Sequence, residues 1–399
     1  MSKTVHRGRL FVSACAGMAA FGFSLALLGT LFGFPEMRER LHVDVMKQGE
    51  MSSVLIAGIW LSTVVVGPLI DKFGNKVVLA VSSFLVSAAF LGFASANSFG
   101  LALAASLLLG FGGGGLNTST NVVVSELYDD KRGAMLNILG IFFGGGAVMV
   151  PLLAARMSPN AAILFAACFA GFIGLVYLVL PFPAATEGHS FSLREAVKVV
   201  TYPGVLLFSF LLFFESGNEQ VMNTFTSTWL GPLGAGATAK VATGVLIGYQ
   251  LGMAVGRIIA AQLLNYVSKQ KMVMGSAIGS VIGTGILFFS QSVAGMATGV
   301  VITGLSFAAI YPTVLAIAGD RFQRFAGTVF GAIFAIALVG GFIAPSAVGY
   351  VGTKTTLHMG TIVPLIGTVM VAILSYFVIR SSEENQPAPE PELESAKRG

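Results

Sequence analysis

Charged residues are sparse along this chain, and the stretches between them are long enough to cross a bilayer. Charge-free runs occupy 10–35, 51–70, 77–125, 133–155, 157–186, 272–319, 325–353 and 355–379. A hydrocarbon core about 30 Å thick takes about 20 apolar helical residues. The runs at 77–125 and 272–319 each hold two helices, parted by Ser95-Ala96-Asn97-Ser98 and by Ser290-Gln291-Ser292. Two further spans, 200–230 and 241–266, are apolar but carry Glu215, Glu219 and Arg257. The pattern predicts an all-α membrane protein of twelve transmembrane helices. A β-barrel would need short alternating strands, and the sequence has none. The first run, 10–35, is longer than a signal-peptide core of about 7–15 residues, so it reads as a retained span.

Composition narrows the function classes. Of 399 residues, 55% are hydrophobic and only 10% charged, with 50 glycines and a mean hydropathy of +0.84. Soluble domains carry about 25% charged residues. A soluble enzyme, a disordered protein and a soluble nucleic-acid binder are thereby excluded, despite the net charge of +5. Cys15 and Cys168 lie in apolar runs, as small membrane-buried side chains rather than a disulfide or metal pair. His6, His42, His189 and His358 have no metal-ligand spacing. GFGGGG at 110–115 opens no soluble nucleotide-binding helix and reads as close helix packing. No Walker loop is present, so ATP-driven transport from within this chain is not expected.

With the N-terminus on the cytoplasmic side, sixteen of the 23 basic residues fall on that side, six on the other, and Arg257 lies within a span. That bias predicts a plasma (inner) membrane protein with both termini cytoplasmic. The expected organisation is an N-terminal segment 1–9, a six-helix bundle 10–181, a linker 182–198, a second bundle 199–380 and a tail 381–399. The tail, rich in Glu, Pro and Ser, is expected to be disordered. Sliding the second half on the first without gaps aligns Gly110 with Gly304, Gly146 with Gly340, Pro151 with Pro345 and Glu126 with Asp320. Duplicated six-helix halves place a substrate site near the midplane between them.

GPLIDKFGNK, Gly67 to Lys76, resembles the loop between helices two and three of the major facilitator superfamily. Gly67 is expected to permit close helix contact, with Asp71 facing a helix N-terminus and Lys72 and Lys76 on the cytoplasmic side. Asn75 stands where that pattern has a basic residue. The stretch GFGGGGLNTSTNVVVSELYDDKRGAMLNILGIFFGGGAVMVP is similar to the fucose–galactose–glucose symporter branch, as are GLSFAAIYPTVLAIAGD and GGFIAPSAVGY. The membrane acids of proton-coupled fucose carriers in helices one and four have no counterpart here. Thr30, Leu31 and Asn117 occupy those regions.

Polar groups inside the spans are the candidate site. Glu215, Glu219 and Asn223 recur every turn on the seventh span, with Glu215 near the membrane centre. A carboxylate in lipid costs about 2.5–3.5 kcal/mol or more, so this stripe should meet a cavity or a partner. Asn117 and Asn121 repeat the spacing on the fourth span and offer donors and acceptors to a sugar without net charge. Asn137 on the fifth is a weaker candidate of the same kind. Gln250 and Tyr311 complete a mixture of amides and aromatic faces that suits a pyranose, with Trp60 a weaker aromatic. Trp229 is expected at the outer interface. Arg257, nine residues from the end of its span, reads as a structural or snorkelling residue alongside the gating group Asp71, Lys72 and Lys76.

The sequence therefore predicts a monomeric secondary transporter, not an enzyme and without cofactors. Its substrate would be a small neutral polar solute, a monosaccharide or polyol, moved by alternating access. Glu219, with Glu215, would bind substrate or couple a proton or sodium ion. A proton-coupled exporter of cationic or amphipathic drugs is the alternative, although Pro151 follows valine rather than glycine. A non-transporting membrane sensor is the third reading.

Overall fold

The computed structural model describes residues 7–128, 132–182, 201–322 and 326–383. The expected linker at 182–198 lies almost wholly outside them, as do residues 1–6, Lys131 and the tail beyond Glu383. The side chain of Asn137 also lies outside the description.

The described chain is helical: α1 (Arg7–Leu31), a short α2 (Pro35–Leu41), α3 (Val45–Ser95), α4 (Phe99–Leu127), α5 (Arg132–Arg156), α6 (Pro159–Val179), α7 (Pro203–Leu230), α8 (Ala239–Leu263), α9 (Lys269–Phe289), α10 (Val293–Phe307), α11 (Ile310–Arg321), α12 (Ala326–Lys354) and, after a turn at His358–Thr361, α13 (Ile362–Glu383). Ten of the helical segments are long and apolar enough to cross a membrane. The 51 residues of α3 make two crossings, because Gly74 breaks it with φ 78° and ψ 160°. Only glycine adopts such a backbone without strain. α7 is long enough at 28 residues but more polar than the ten. Counting α3 twice and adding α7 gives twelve crossings.

Local chemistry sets the boundaries. Ser98 and Ser292 N-cap α4 and α10 at the two breaks read from the sequence, and Asp44, Ser158, Thr238 and Ser268 cap four other helices. Each cap satisfies one backbone N–H that the first turn leaves unpaired. α10 and α11 form one crossing, Val293–Arg321. Pro312 has no N–H to bond the carbonyl of Ala308, and the helix loosens there.

The twelve crossings form two bundles, each with its own buried core, one running from Leu10 to Tyr177 and the other from Val205 to Val378. Small residues let the backbones touch. A Cβ on Gly110 would stand 1.9 Å from the Leu55 carbonyl, and one on Gly304 would stand 2.5 Å from that of Tyr249. A Cβ on Gly146 would meet the Ala19 carbonyl at 2.1 Å, and one on Gly340 that of Phe213 at 1.9 Å. All four C-terminal partners lie 194 residues after their N-terminal counterparts (304 against 110, 249 against 55, 340 against 146, 213 against 19). The repeat is thus a repeat of helix contacts.

These approaches cannot relax, because the opposing atoms belong to helix backbone. Gly110→Val is expected to leave little folded protein, since overpacking costs about 1–3 kcal/mol even where side chains can shift. Size-exclusion yield of a fluorescent fusion measures it. A wild-type yield of monodisperse Gly110→Val would show that α3 and α4 can separate without loss of the fold.

Candidate functional site

The chain leaves the linker region through Pro203 at the first turn of α7, which then carries a mixed sequence across the membrane. Its polar residues divide between two faces. One bears Glu215, Glu219 and Asn223. Glu215 is 0% exposed, and neither carboxyl oxygen has a hydrogen-bond partner among the described residues. Glu219, one turn further, is half-buried. Asn223 is buried and accepts a hydrogen bond from the Gln250 amide of α8 at 2.5 Å.

Gln250 lies two turns before Arg257 on the same face of α8. Arg257 is exposed, and among the described residues it has no ion pair. Its charge nevertheless reaches Glu215, Glu219 and Tyr249, and the two acids in turn reach Tyr249 and Tyr311. Tyr311, which stacks on Phe334 at 5.8 Å, is half-buried, whereas the Tyr249 hydroxyl is buried without a partner among the described residues. The structure therefore gathers Glu215, Glu219, Asn223, Gln250, Arg257 and Tyr311 in one half. Glu219, Gln250 and Tyr311 each keep part of their surface exposed within membrane-crossing helices, where polar groups ordinarily face a cavity or a partner rather than lipid.

The α4 amides form a separate pair. The Asn121 amide donates to the Asn117 carbonyl at 2.8 Å and to its side-chain oxygen at 3.0 Å, and both residues are half-buried. Among the described residues, neither side chain of this pair hydrogen-bonds to the α7 face. Trp60 is 41% exposed on α3. Trp229, expected at the outer interface, is instead 1% exposed and stacked on Phe225 with centroids 5.7 Å apart. It plugs the second core.

The other face of α7 meets the first half at the end of the bundle away from Arg7. Gln48 donates to the Thr224 carbonyl and to the Thr228 hydroxyl, both at 2.8 Å. Ser52 bonds the Thr224 hydroxyl at 2.7 Å and accepts from Gln220 at 2.8 Å. Arg38, only 7% exposed, donates to Gln48 at 3.1 Å and to Thr228 at 3.4 Å. Desolvation pushes its guanidinium down to about 10, opposed by the Asp44 charge. Ser53 bonds the Phe342 carbonyl and the Ser346 hydroxyl of α12. The glycines close the remaining gap: a Cβ on Gly29 would lie 1.7 Å from the Asn223 carbonyl, and one on Gly49 would lie 2.3 Å from that of Pro345. None of these latch residues stood out in the sequence, although Gln48/Ser52 and Gln220/Thr224/Thr228 do repeat at four-residue spacing.

At the opposite end, Asp71, Lys72 and Lys76 border the Gly74 turn. Asp71 and Lys72 are exposed, and the Lys72 ammonium lies over the Phe73 ring at 5.1 Å. Gly67 has open space around it, so it does not serve the close contact expected of it. Asn75 is buried and donates to Glu126 at 3.4 Å. Its repeat counterparts, Lys269 and Asp320, form an ion pair at 2.5 Å. The missing basic residue is thus replaced by an amide that keeps the same partner.

The sequence profile of the Major Facilitator Superfamily matches residues 10–248 and 208–399. The cis,cis-muconate transport protein of Acinetobacter baylyi is 21% identical over 373 residues, covering 88% of this chain and 89% of that protein. The D-xylose transporter of Levilactobacillus brevis is 22% identical over 148 residues, 37% of this chain and 32% of that protein. Several other curated relatives are likewise matched over a third of their length or less. Among solved structures, a bacterial homologue of the human lysosomal transporter Spinster superposes with a TM-score of 0.77 at 11% identity, over 98% of this chain and 100% of that one. The E. coli fucose:proton symporter FucP gives 0.63 at 16% identity, over 92% and 98%. The two solved structures share this chain's fold, and the fucose symporter is one structural neighbour among several.

Proposed function

The chain belongs to the major facilitator superfamily, and on that premise we propose that it carries a small neutral polar solute, a monosaccharide or polyol, together with a proton or sodium ion. It is an integral membrane secondary transporter that takes a small-molecule substrate, not an enzyme. The observation that carries the finer reading is the half-accessible group Glu219, Gln250 and Tyr311 around the Asn223–Gln250 bond. Amides and a carboxyl offer a hydroxylated ligand both donors and acceptors, while the Tyr311 ring offers an apolar face. Asn117 and Asn121 would supply the first half's side of the site once the bundles tilt.

The transport cycle follows from the latch. The halves are held together at the end remote from Arg7, so substrate reaches the polar face from the other end in this state. On the positive-inside rule that end is cytoplasmic. Rocking the bundles would break the Gln48, Ser52 and Arg38 bonds and open the site outward.

One observation favours a second reading. The Arg257 charge acts on both acids although it forms no ion pair among the described residues, and such a guanidinium suits a carboxylate ligand. The likeness to a muconate transport protein supports that option, as the likeness to a xylose transporter supports the first.

Uptake into proteoliposomes separates them. Labelled hexoses, pentoses, polyols and dicarboxylates are offered with and without proton and sodium gradients. Concentration of a hexose or polyol under a gradient is the expected result. Uptake confined to dicarboxylates transfers the site to the second reading. Export of cationic amphipaths, seen as resistance in an efflux-deficient host, or binding without flux sinks both.

A further inference from the structure

α8 and α9 both pack on α10 but leave a gap between themselves. α8 is pressed down at Gly256, where a Cβ would stand 2.4 Å from the Leu305 carbonyl. α9 is pressed down at Gly279, where a Cβ would meet the Ser306 hydroxyl at 2.5 Å. Between them runs a cleft of about 320 Å³, floored by Leu305, Ser306 and Ala309 and walled by Ile259, Leu263, Met272 and Gly275. That is the lower end of the range of about 300–1,000 Å³ for ligand sites.

The cleft opens to lipid. Ile259 and Leu263 on its rim are 50% and 45% exposed, and Ile278 and Ile282 further along α9 are 51% and 53% exposed. Gly275 lies in its wall without a side chain. A Cβ there meets nothing within 4 Å, and its backbone is helical, so neither packing nor conformation asks for glycine. Glycine within a helix costs about 1 kcal/mol against alanine.

One end of the cleft is charged. Lys271 lines it and is exposed, with no ion pair among the described residues. Its neighbour Lys269 is already committed to Asp320. An apolar trough ending in an exposed ammonium at the membrane surface matches an acyl chain with an anionic headgroup. We propose that the α8–α9–α10 cleft binds one anionic phospholipid, its chain along Gly275 and its phosphate at Lys271. The site is separate from the polar face of α7 and does not depend on which solute is carried.

Native mass spectrometry of the full chain released from nanodiscs of equal phosphatidylglycerol and phosphatidylcholine tests it. Wild-type protein should retain phosphatidylglycerol in preference. Lys271→Gln should cut that preference about fivefold, the effect of about one basic residue at an anionic surface. Gly275→Leu should fill the trough and lose bound lipid of both kinds, while unfolding in detergent at or above the wild-type temperature. If that variant does not fold, Ser276→Phe blocks the same space. Equal retention of the two lipids by the wild type, an unchanged preference in Lys271→Gln, or undiminished lipid on a folded trough-filled variant would each overturn the proposal.

Discussion

Glu219→Gln is expected to abolish uphill accumulation of substrate while leaving counterflow exchange measurable. A group that carries a proton through the cycle must be neutral in one access state and charged in the other. Among acids on the membrane-crossing part of α7, Glu219 is the one that keeps part of its surface exposed, and it makes no hydrogen bond to a described residue. Glutamine keeps its length and its capacity to bond a substrate hydroxyl but cannot titrate. The size of the effect follows from the driving force. One charge moved through 100 mV is worth about 2.3 kcal/mol, or roughly fiftyfold accumulation. The variant should fall to a ratio near one. Glu215→Gln is the control, because that carboxyl has no exposure and no hydrogen-bond partner among the described residues, and its substitution should lower transport far less. Undiminished concentration of substrate by Glu219→Gln under an imposed proton gradient would remove the residue from the coupling path.

Gly29→Val should trap the transporter with the latch open. The Cβ it adds would stand 1.7 Å from the Asn223 carbonyl, and neither helix backbone can yield that distance without moving as a body. Unlike Gly110, Gly29 faces the other half, so the clash opposes closure rather than folding. Overpacking of about 1–3 kcal/mol shifts a two-state balance about five- to 150-fold. Net transport should drop accordingly. A cysteine at Ser53, in a background without Cys15 and Cys168, reports the change: it bonds α12 in the closed latch and should react slowly with an impermeant maleimide in the parent. In Gly29→Val it should react at least tenfold faster. Equal labelling with normal uptake would mean that closure at α1 and α7 is no part of the cycle.

The crossings and their breaks were legible in the sequence because each is a local property. Ser98 and Ser292 stop helices by capping, and a charge-free stretch of sufficient length has few alternatives to spanning. The 194-residue register was legible too, and Gly110 with Gly304 proved to mark equivalent backbone contacts. The latch was not. Gln48 and Thr228 meet across 180 residues, and each alone is an unremarked polar residue near a helix end. Trp229 was misread for a related reason: its position near a helix terminus suggests an interface, but Phe225 one turn earlier carries it into the core. The acids of α7 stood out through their cost in lipid. Their distances to the α4 amides depend on how the halves tilt, which no local pattern encodes.

Gly29 and Asn223 touch across the boundary between the halves, and so do Gly33 and Ser227, where a Cβ on Gly33 would lie 2.9 Å from the Ser227 Cβ. Both pairs are separated by the repeat register itself (223 against 29, 227 against 33). They are therefore the same position met twice, facing its own copy across the pseudo-twofold axis. On an axis, two identical half-chains must present identical side chains. Two asparagines could not approach this closely, and two glycines would leave the axis without the amide that Gln250 bonds. A separate, self-assembling six-helix ancestor could have had the tight closure or the polar axial side chain, but not both. Joining the copies in one chain lets their sequences part at these two positions, so that one copy supplies the space and the other the chemistry.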